Sequence, residues 1–486
     1  MADLSGLISS VAKVSEKTST PVYIVGGFVR DLFLKDTEDK DIDFVVSGSG
    51  LKFAKVLDAE LKQLGSLVEF PDFDTARYIV GEGASQLILE FAGARSESYK
   101  SASRKPIITA TNLAEDLKRR DFTVNAMALP VGSLYRGKKR LSLLVLKKNI
   151  IDPFNGQADI KDKILRTPLE PNVTFSDDPL RMLRAVRFAA ELEFGLEPST
   201  LKAIFDNHER LKIVSAERVQ DELLKLLATR EPSVGLALMF QTRLLDVCLP
   251  EVAALDGVED IYGHQHKNNL IHSFKVVDNI ATESPKIWLR LAGLLHDIGK
   301  PGTKKFLPKI GWSFHAHEHL GKKMVLAIAK RLRFSTDLTK YLTKLIRWHL
   351  QPIALMDKGI TDSAVRRLVV TMGELLDDLL ILGKGDITTG NPYKKTQRLK
   401  NYDILRAKIA DLLERDKLRS FQSPFRGDEI MAAARLKPGP TVGKIKNAIE
   451  EAILEGIIQN DHDIAEEYFH KIKSSYLAEA AAWERL

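Results

Sequence analysis

The chain of 486 residues has a single cysteine, Cys248. An intrachain disulfide is therefore excluded, and a reducing compartment fits. Its setting, Leu245-Asp246-Val247-Cys248-Leu249, reads as that of a small buried hydrophobe, not of a nucleophile. No apolar run approaches the roughly 18 residues that span a bilayer. Residues 1–17 lack the apolar core of a secretory signal and read as a short amphipathic helix. These absences predict a cytoplasmic protein with no membrane partner. Regular repeats and low-complexity tracts are missing, as are an RNA-recognition motif and an aromatic-rich single-strand channel. What remains is an ordinary globular composition, 44% hydrophobic and 28% charged. The length suits about two to four domains. A net charge of +7 favours a polyanionic partner.

Hydrophobic patterning divides the chain. Residues 21–25 form a short apolar run, followed by Gly26-Gly27 and a periodic helix to about Leu34. Segments 42–46, 67–70, 76–80 and 87–91 read as strands. From Thr174 onward the periodic segments are helical: 179–192, 199–207, 217–228 and 233–240. The expected fold is an α/β head, a mixed sheet with helices, followed by an all-α remainder. A lysine-rich segment, Lys394-Lys395-Thr396-Gln397-Arg398, opens the C-terminal part.

The chemistry concentrates in a few short stretches. In Val25-Gly26-Gly27-Phe28-Val29-Arg30-Asp31, two glycines before a helix leave backbone N–H groups free to cradle a phosphate, and Arg30 is a further candidate nucleotide contact. In Lys40-Asp41-Ile42-Asp43-Phe44, two aspartates one residue apart on a strand share a face. Glu90 interrupts an apolar strand near its end and is the candidate third carboxylate. A lone carboxylate reads as a solvated surface charge. The Asp-x-Asp pair behind Gly-Gly instead suits hard divalent cations, Mg²⁺ above all, held against a triphosphate. One ion would activate an acceptor hydroxyl and another would neutralise the leaving pyrophosphate. Downstream, a helix through Arg119-Arg120-Asp121-Phe122-Thr123-Val124-Asn125 would set Asp121 and Asn125 on one face. Arg120 would then meet phosphates, and Asp121 and Asn125 ribose hydroxyls. In isolation the segment reads as a salt-bridged helix start.

In Ser176-Asp177-Asp178-Pro179-Leu180-Arg181, Ser176 reads as an N-cap and the acids as complements to the helix dipole. A sharper reading pairs Asp178 with Arg181, neighbours at i, i+3. A carboxylate accepts from an exocyclic amine, and a guanidinium donates to a ring nitrogen or carbonyl. That pattern fits cytosine and adenine and opposes uracil and guanine, so selection needs no nucleic-acid template. Arg184 and Arg187 follow on the same helix as further candidate nucleotide contacts.

A second constellation comprises His272, then Leu294-Leu295-His296-Asp297-Ile298-Gly299-Lys300, then His315-Ala316-His317, His349 and Asp386. A lone histidine on an apolar helix usually belongs to the core or the surface, and His264, His266 and His319 are read so. An adjacent His-Asp pair with ordered partners on other helices can bind one or two metals. Mn²⁺, Fe²⁺, Co²⁺, Ni²⁺ and Mg²⁺ all suit such a set.

Taken in order, Gly-Gly-x-Val-Arg-Asp, Asp-x-Asp, Arg-Arg-Asp-Phe-Thr-x-Asn-Ala-Met, Ile151-Asp152-Pro153-Phe154-Asn155-Gly156-Gln157, Asp-Asp-Pro-Leu-Arg and Ser215-Ala216-Glu217-Arg218 resemble the class II tRNA nucleotidyltransferases and bacterial poly(A) polymerases. The likeness covers about residues 20–235. It implies a nucleotidyltransferase head (1–155) and a helical neck carrying the base template and a tRNA-binding surface (156–251). It makes Asp178 and Arg181 the template, braced by Glu217 and Arg218. Asp177 departs from the family, which usually has Glu there, but the template role belongs to the next residue. The histidines resemble the HD phosphohydrolase superfamily in its binuclear form. That implies His272, His296, Asp297, His317, His349 and Asp386 as metal ligands in a domain at 252–392, with Lys300 near the substrate phosphate. Water activated there would attack a phosphomonoester or cyclic phosphate. Residues 426–443 resemble the tail of HD-bearing CCA-adding enzymes, implying a tRNA-binding tail at 393–486. There a Pro-Gly-Pro turn precedes an expected helix at 444–456, and Lys437, Lys444 and Lys446 either face tRNA phosphates or are simply solvated.

The expectation is therefore addition of CCA to the tRNA 3′ end from CTP and ATP, with a second phosphohydrolase site, in a monomer or homodimer. The rivals are a CC-adding, A-adding or poly(A)-adding enzyme, a phosphohydrolase whose head senses nucleotides, and a non-catalytic tRNA chaperone.

Overall fold

The structure is a computed structural model that describes residues 4–34, 41–98, 107–136, 139–261, 264–265, 267–308, 311–358, 361–416 and 423–485. His266 lies outside them. The chain divides into two compact units, Met1–Cys248 and Leu249–Leu486.

The first unit is built on a mixed sheet. Its strands are β1 (Val22–Val25), β2 (Asp41–Val46), β3 (Ser66–Phe70), β4 (Thr75–Val80), β5 (Leu87–Gly93) and β6 (Ala128–Pro130). Their spatial order is β3-β4-β5-β2-β1-β6, with only the β2–β5 pair parallel. Alternation along β2 sends Ile42 and Phe44 into the core and leaves Asp41 and Asp43 on the opposite face. Phe44 stacks on Phe91 of β5 at 4.7 Å, and Phe53 of the Gly50–Glu60 helix packs on Phe91 at 5.5 Å. These contacts hold the two site-bearing strands in register. The Leu4–Lys17 helix buries Leu7, Ile8, Val11 and Val14, as its amphipathic pattern predicts.

Beyond the sheet the unit is helical. Pro171–Asp177 ends where Asp178 takes an extended backbone, and Leu180–Leu192 begins after Pro179. Ser176 is therefore in the last turn of one helix and is not the N-cap of the next. Asp178 takes that part, its Oδ1 accepting from the Leu180 N–H at 3.1 Å. The segment from Asp121 to Asn125 also differs from expectation. Phe122 is extended and only a 3₁₀ turn, Thr123–Asn125, follows. The residues still meet, because Asn125 Nδ2 donates to Asp121 Oδ1 at 3.0 Å across that turn.

The second unit is almost wholly helical. Asn269–Glu283, Ile287–Leu295, His317–Leu332, Thr336–Trp348 and Leu376–Gly385 surround a core of Leu270, Val276, Leu291, Leu294, Leu345 and Leu379. Asn268 caps the first of these through its side-chain oxygen. Pro392–Asp416 packs on Leu376–Gly385 and on helices preceding it. The last helices, Gly427–Ala434, Pro440–Leu454 and His462–Glu479, close around Phe425, Ile430, Ile445, Ile449 and Phe469. Pro440 is the first residue of its helix, so that helix starts four residues before the position expected from the sequence. Among the described residues no helix is long and apolar enough to cross a membrane.

Candidate functional site

The head site forms where β1 gives way to the Gly27–Leu34 helix. Gly26 turns the chain with φ +74°, a region that favours glycine. A Cβ there would also stand 3.1 Å from Arg120 Nη1 and 3.4 Å from Asp43 Oδ2. The turn thus lies against both the candidate metal ligands and a phosphate-seeking guanidinium. Asp43 is opposite Glu90 in the parallel β2–β5 pairing, and Arg77 is opposite Glu90 across β4–β5. Paired residues point to one face, so Asp41, Asp43, Glu90 and Arg77 share it. Arg77 Nε sits 2.6 Å from Glu90 Oε2. The sequence reading missed Arg77. Its signal was a cation alternating with buried Ala76 and Tyr78.

Crowding shows in the acidities. Burial pushes the Asp43 carboxyl up; Arg120 pulls it down, while Glu90 and Asp41 raise it further, leaving it at about 6. Asp41 is raised by burial and then by Glu90, with Arg77 opposing. Three carboxylates on one face form a hard oxygen donor set with charge to spare, which fits divalent cations of the Mg²⁺ kind.

Four proposed nucleotide contacts turn inward instead. Arg30, Asp121, Asn125 and Arg187 are buried. Arg30 pairs with Asp31 at 2.8 Å and donates from Nη1 to Asn125 Oδ1 at 2.9 Å. Asp121 Oδ2 accepts from Arg184 Nη2 at 2.6 Å and Nε at 2.8 Å. Arg187 Nε donates to Glu222 Oε2 at 2.7 Å, and Arg184 approaches Glu222 Oε1 at 3.7 Å. A chain of ion pairs and amides therefore runs from the glycine-turn helix to the Leu180–Leu192 and Ala216–Leu227 helices. Burial opposes the Asp121 charge, yet Arg184 and Asn125 more than offset it and hold that carboxyl at about 2. These side chains are engaged with each other, whereas the sequence reading set Asp121 and Asn125 against ribose hydroxyls and Arg30 and Arg187 against nucleotide.

Asp178 and Arg181 behave differently. Both are only half-buried. The Arg181 side chain has no hydrogen-bond or ion-pair partner among the described residues. Asp178 Oδ2 accepts from Arg218 Nη2 at 3.1 Å, while Glu217 is exposed, so Arg218 alone reaches the candidate template.

The second site gathers the expected histidines. His296 and Asp297 end the Ile287–Leu295 helix. Gly299 lets the chain pass so close to the next segment that a Cβ would lie 2.2 Å from the His317 carbonyl. Two triads result, His272–His296–Asp386 and Asp297–His317–His349, their ligand atoms within 4.8 Å of one another in each. Asp297 joins them: Oδ2 is 3.1 Å from His296 Nε2 and Oδ1 is 3.3 Å from His317 Nε2. His315 is exposed and outside the group.

The outer nitrogens fix the inner ones. Nδ1 of His296, His317 and His349 faces the carbonyls of Gly293, Phe314 and Ile346 at 2.7–2.9 Å, and Nδ1 of His272 meets Thr388 Oγ1 at 2.7 Å. Because carbonyls only accept, Nδ1 of His296, His317 and His349 carries a proton and Nε2 of each faces inward, and the Thr388 hydroxyl sets the His272 ring the same way round. His272 Nε2 then confronts Asp386 Oδ1 at 2.9 Å, and His317 Nε2 confronts His349 Nε2 at 3.2 Å. Nε2 of both His272 and His296 is buried with no hydrogen-bond partner. Acceptors at such distances need positive charge among them, as a proton or as a metal ion. The acidities carry the same message. Burial disfavours a charged His296, but Asp297 and then Asp386 more than offset it and raise it to about 9. Burial and the His296 charge push His349 down to about 4. Nitrogen with bridging carboxylate suits a pair of borderline divalent metals. Lys300 Nζ lies 2.5 Å from Asp297 Oδ2.

In the tail, Lys437 is exposed, and Lys444 and Lys446 stand 3.7 and 3.8 Å from Glu479 and Glu450. Nothing in that geometry distinguishes them from solvated lysines.

Comparison with known proteins matches the segments that carry the two groups of residues. The poly A polymerase head domain model matches residues 22–166, the "Probable RNA and SrmB- binding site of polymerase A" model matches 193–255, and the HD domain model matches 269–416. An A-adding tRNA nucleotidyltransferase of Deinococcus radiodurans is 33% identical over 70% of this chain and 75% of its own length. A multifunctional CCA protein of Pseudomonas fluorescens is 33% identical over 65% of this chain and 71% of its own. The solved apo form II of a CCA-adding enzyme shares the fold, with TM-score 0.62 and 21% identity over 97% of this chain and 96% of that one. The chain belongs to the tRNA nucleotidyltransferase and poly(A) polymerase family and carries an HD domain.

Proposed function

We propose that the head adds C, C and A to the 3′ end of tRNA from CTP and ATP. The observation that carries this reading is the carboxylate face of Asp41, Asp43 and Glu90 set against the Gly26 turn, with the Arg181 side chain unpaired and half-buried Asp178 steadied by Arg218 in the same unit. Asp41, Asp43 and Glu90 would hold Mg²⁺, which supplies charge stabilisation for the triphosphate and lowers the pKa of the acceptor hydroxyl. The N–H groups after Gly26 and the Arg120 guanidinium would bind phosphate oxygens. Asp178 would accept from the exocyclic amine of cytosine or adenine, and Arg181 would donate to the neighbouring ring nitrogen or carbonyl. Arg218 would hold Asp178 in place, and the buried Arg30–Asn125–Asp121–Arg184 chain would keep the template helix at a set distance from the metal face. The tRNA would be held by its backbone and acceptor-stem shape.

The second site would act as a metal-dependent phosphohydrolase in the same cytoplasmic setting. His272, His296, Asp386, Asp297, His317 and His349 would hold two divalent ions, which supply an activated water and a polarised phosphoryl group. Its substrates would be phosphomonoesters or cyclic phosphates.

A narrower head activity is a second reading, favoured by the A-adding relative. Gel extension of tRNA transcripts ending before CCA, after C and after CC separates the two. Growth of all three to one CCA end, with UTP and GTP refused, is expected. Extension only from CC identifies an A-adding enzyme, and arrest at CC a CC-adding one.

A further inference from the structure

The Pro392–Asp416 helix supplies none of the six expected ligands, yet one of its turns stands beside them. Its buried stripe is Tyr402, Leu405, Ile409 and Leu412, at helical spacing. Tyr402 lies across from Gly383: a Cβ on that glycine would be 2.1 Å from the tyrosine hydroxyl. Gly383 precedes Asp386 by three residues, and the chain turns back between Asp386 and Pro392. One helical turn before Tyr402, the stripe therefore continues at the level of Asp386. There it carries an exposed arginine, Arg398, where an apolar residue would extend the packing.

Charge placement agrees. The Tyr402 phenol is pushed up by burial and by Asp386, while Arg398 pulls it the other way. Lys267, just before the Asn269–Glu283 helix, feels Asp386, Lys300, Asp297 and Arg398 together. Lys300 already touches Asp297. Lys267 and Lys300 thus bear on the two carboxylates of the centre from two segments, and Arg398 stands within electrostatic reach of Lys267 and Tyr402 from a third. Two divalent ions and three cations against two carboxylates leave a strong positive excess. The Arg398 side chain has no hydrogen-bond or ion-pair partner among the described residues. Its planar fork suits two oxygens of one phosphoryl group.

We propose that Arg398, flanked by Lys267 and Lys300, grips the phosphoryl group of the ester hydrolysed at the histidine–aspartate centre. This rests on the reading of that centre as a metal-dependent phosphohydrolase.

The test is titration of inorganic phosphate into the Mn²⁺-loaded full chain by calorimetry, with metal content measured on the same samples. Wild type should carry Mn²⁺ and bind phosphate. Arg398→Gln should keep its metal, weaken phosphate about tenfold or more, and raise KM for p-nitrophenyl phosphate more than it lowers kcat. Arg398→Lys should recover part of the affinity, and Lys394→Gln, on a neighbouring exposed turn, should leave it unchanged. Unaltered phosphate affinity in Arg398→Gln with metal intact overturns the proposal, as does an equal loss in Lys394→Gln. Wild type that takes up metal but no phosphate overturns it as well. Wild type that takes up no metal overturns the reading of the centre, and the grip with it.

Discussion

Replacing Asp121 by asparagine removes one negative charge from a buried chain of ion pairs while keeping the side chain's size. The wild-type carboxylate accepts from two Arg184 nitrogens, from Asn125 and from the Phe122 N–H. Its fall from 3.8 to about 2 on folding corresponds to about 2.4 kcal/mol favouring the folded state at neutral pH. Breaking a fully buried pair typically costs about 3–5 kcal/mol. Here Glu222, 3.7 Å from Arg184, takes up part of the orphaned charge, and Arg184 is 33% exposed. A loss of about 2–3 kcal/mol is expected. The four tryptophans, Trp288, Trp312, Trp348 and Trp483, all lie in the second unit, so their fluorescence is an internal control. Hydrogen exchange in Leu180–Leu192 should speed up by about 30- to 150-fold, with the tryptophan transition in urea unmoved. A carboxyl depressed by folding stabilises fully above its unfolded value and less as pH falls toward its folded one. The gap between wild type and Asp121→Asn should therefore be flat from pH 8 to 5 and narrow between pH 4 and 2. A gap below about 1 kcal/mol at pH 7, or one that ignores acidification from pH 4 to 3, would refute the argument.

Asp43→Ala should lower nucleotide incorporation by a thousandfold or more, on the order of two-metal chemistry lost, without changing metal uptake at the histidine centre; retained incorporation would move the head's chemistry elsewhere. Arg181→Ala should lose discrimination against UTP and GTP more than it loses CTP use, since one good hydrogen-bonding pair is worth about 1–3 kcal/mol of base selection; nucleotide competition on a tRNA ending in CC reads this directly. Asp297→Asn should cost both metals of the centre, because its two oxygens serve different triads, whereas His349→Ala should cost one; elemental analysis decides. Gly26→Ala should destabilise the first unit by about 1–2 kcal/mol and raise KM for both nucleotides, because the new Cβ meets Arg120 and Asp43; an unchanged KM would separate that turn from the phosphate.

Much of the architecture was legible because it depends on local period. Apart from the helix expected through Asp121 and Asn125, the strands and helices anticipated between residues 21 and 241 fall within two residues of those observed, since alternation and 3.6-residue spacing are written into the chain. The places where local reading failed are those where partners come from afar. Ser176 looked like an N-cap because Ser-Asp-Asp-Pro is a good one, but the preceding helix had already claimed it. Asp121 and Asn125 looked free because their partners, Arg184 and Arg30, lie 63 and 95 residues away. Arg77 entered the head site only through the antiparallel β4–β5 pairing.

The sequence by itself determined which residue types were available and in what order: an Asp-x-Asp behind two glycines, an Asp and Arg one turn apart, and six His and Asp residues spread over 115 positions from His272 to Asp386. Short-range stereochemistry then settled what faces what within each element. Tertiary structure alone decided which charges were spent on each other and which stayed open. It neutralised Asp121 against Arg184 and left Arg181 unpaired. It also turned four Nε2 atoms toward Asp297 and Asp386 by anchoring each opposite ring nitrogen. Such outcomes depend on distances between remote segments, and in a low-dielectric interior those distances, not residue identity, set whether a charge is structural or functional.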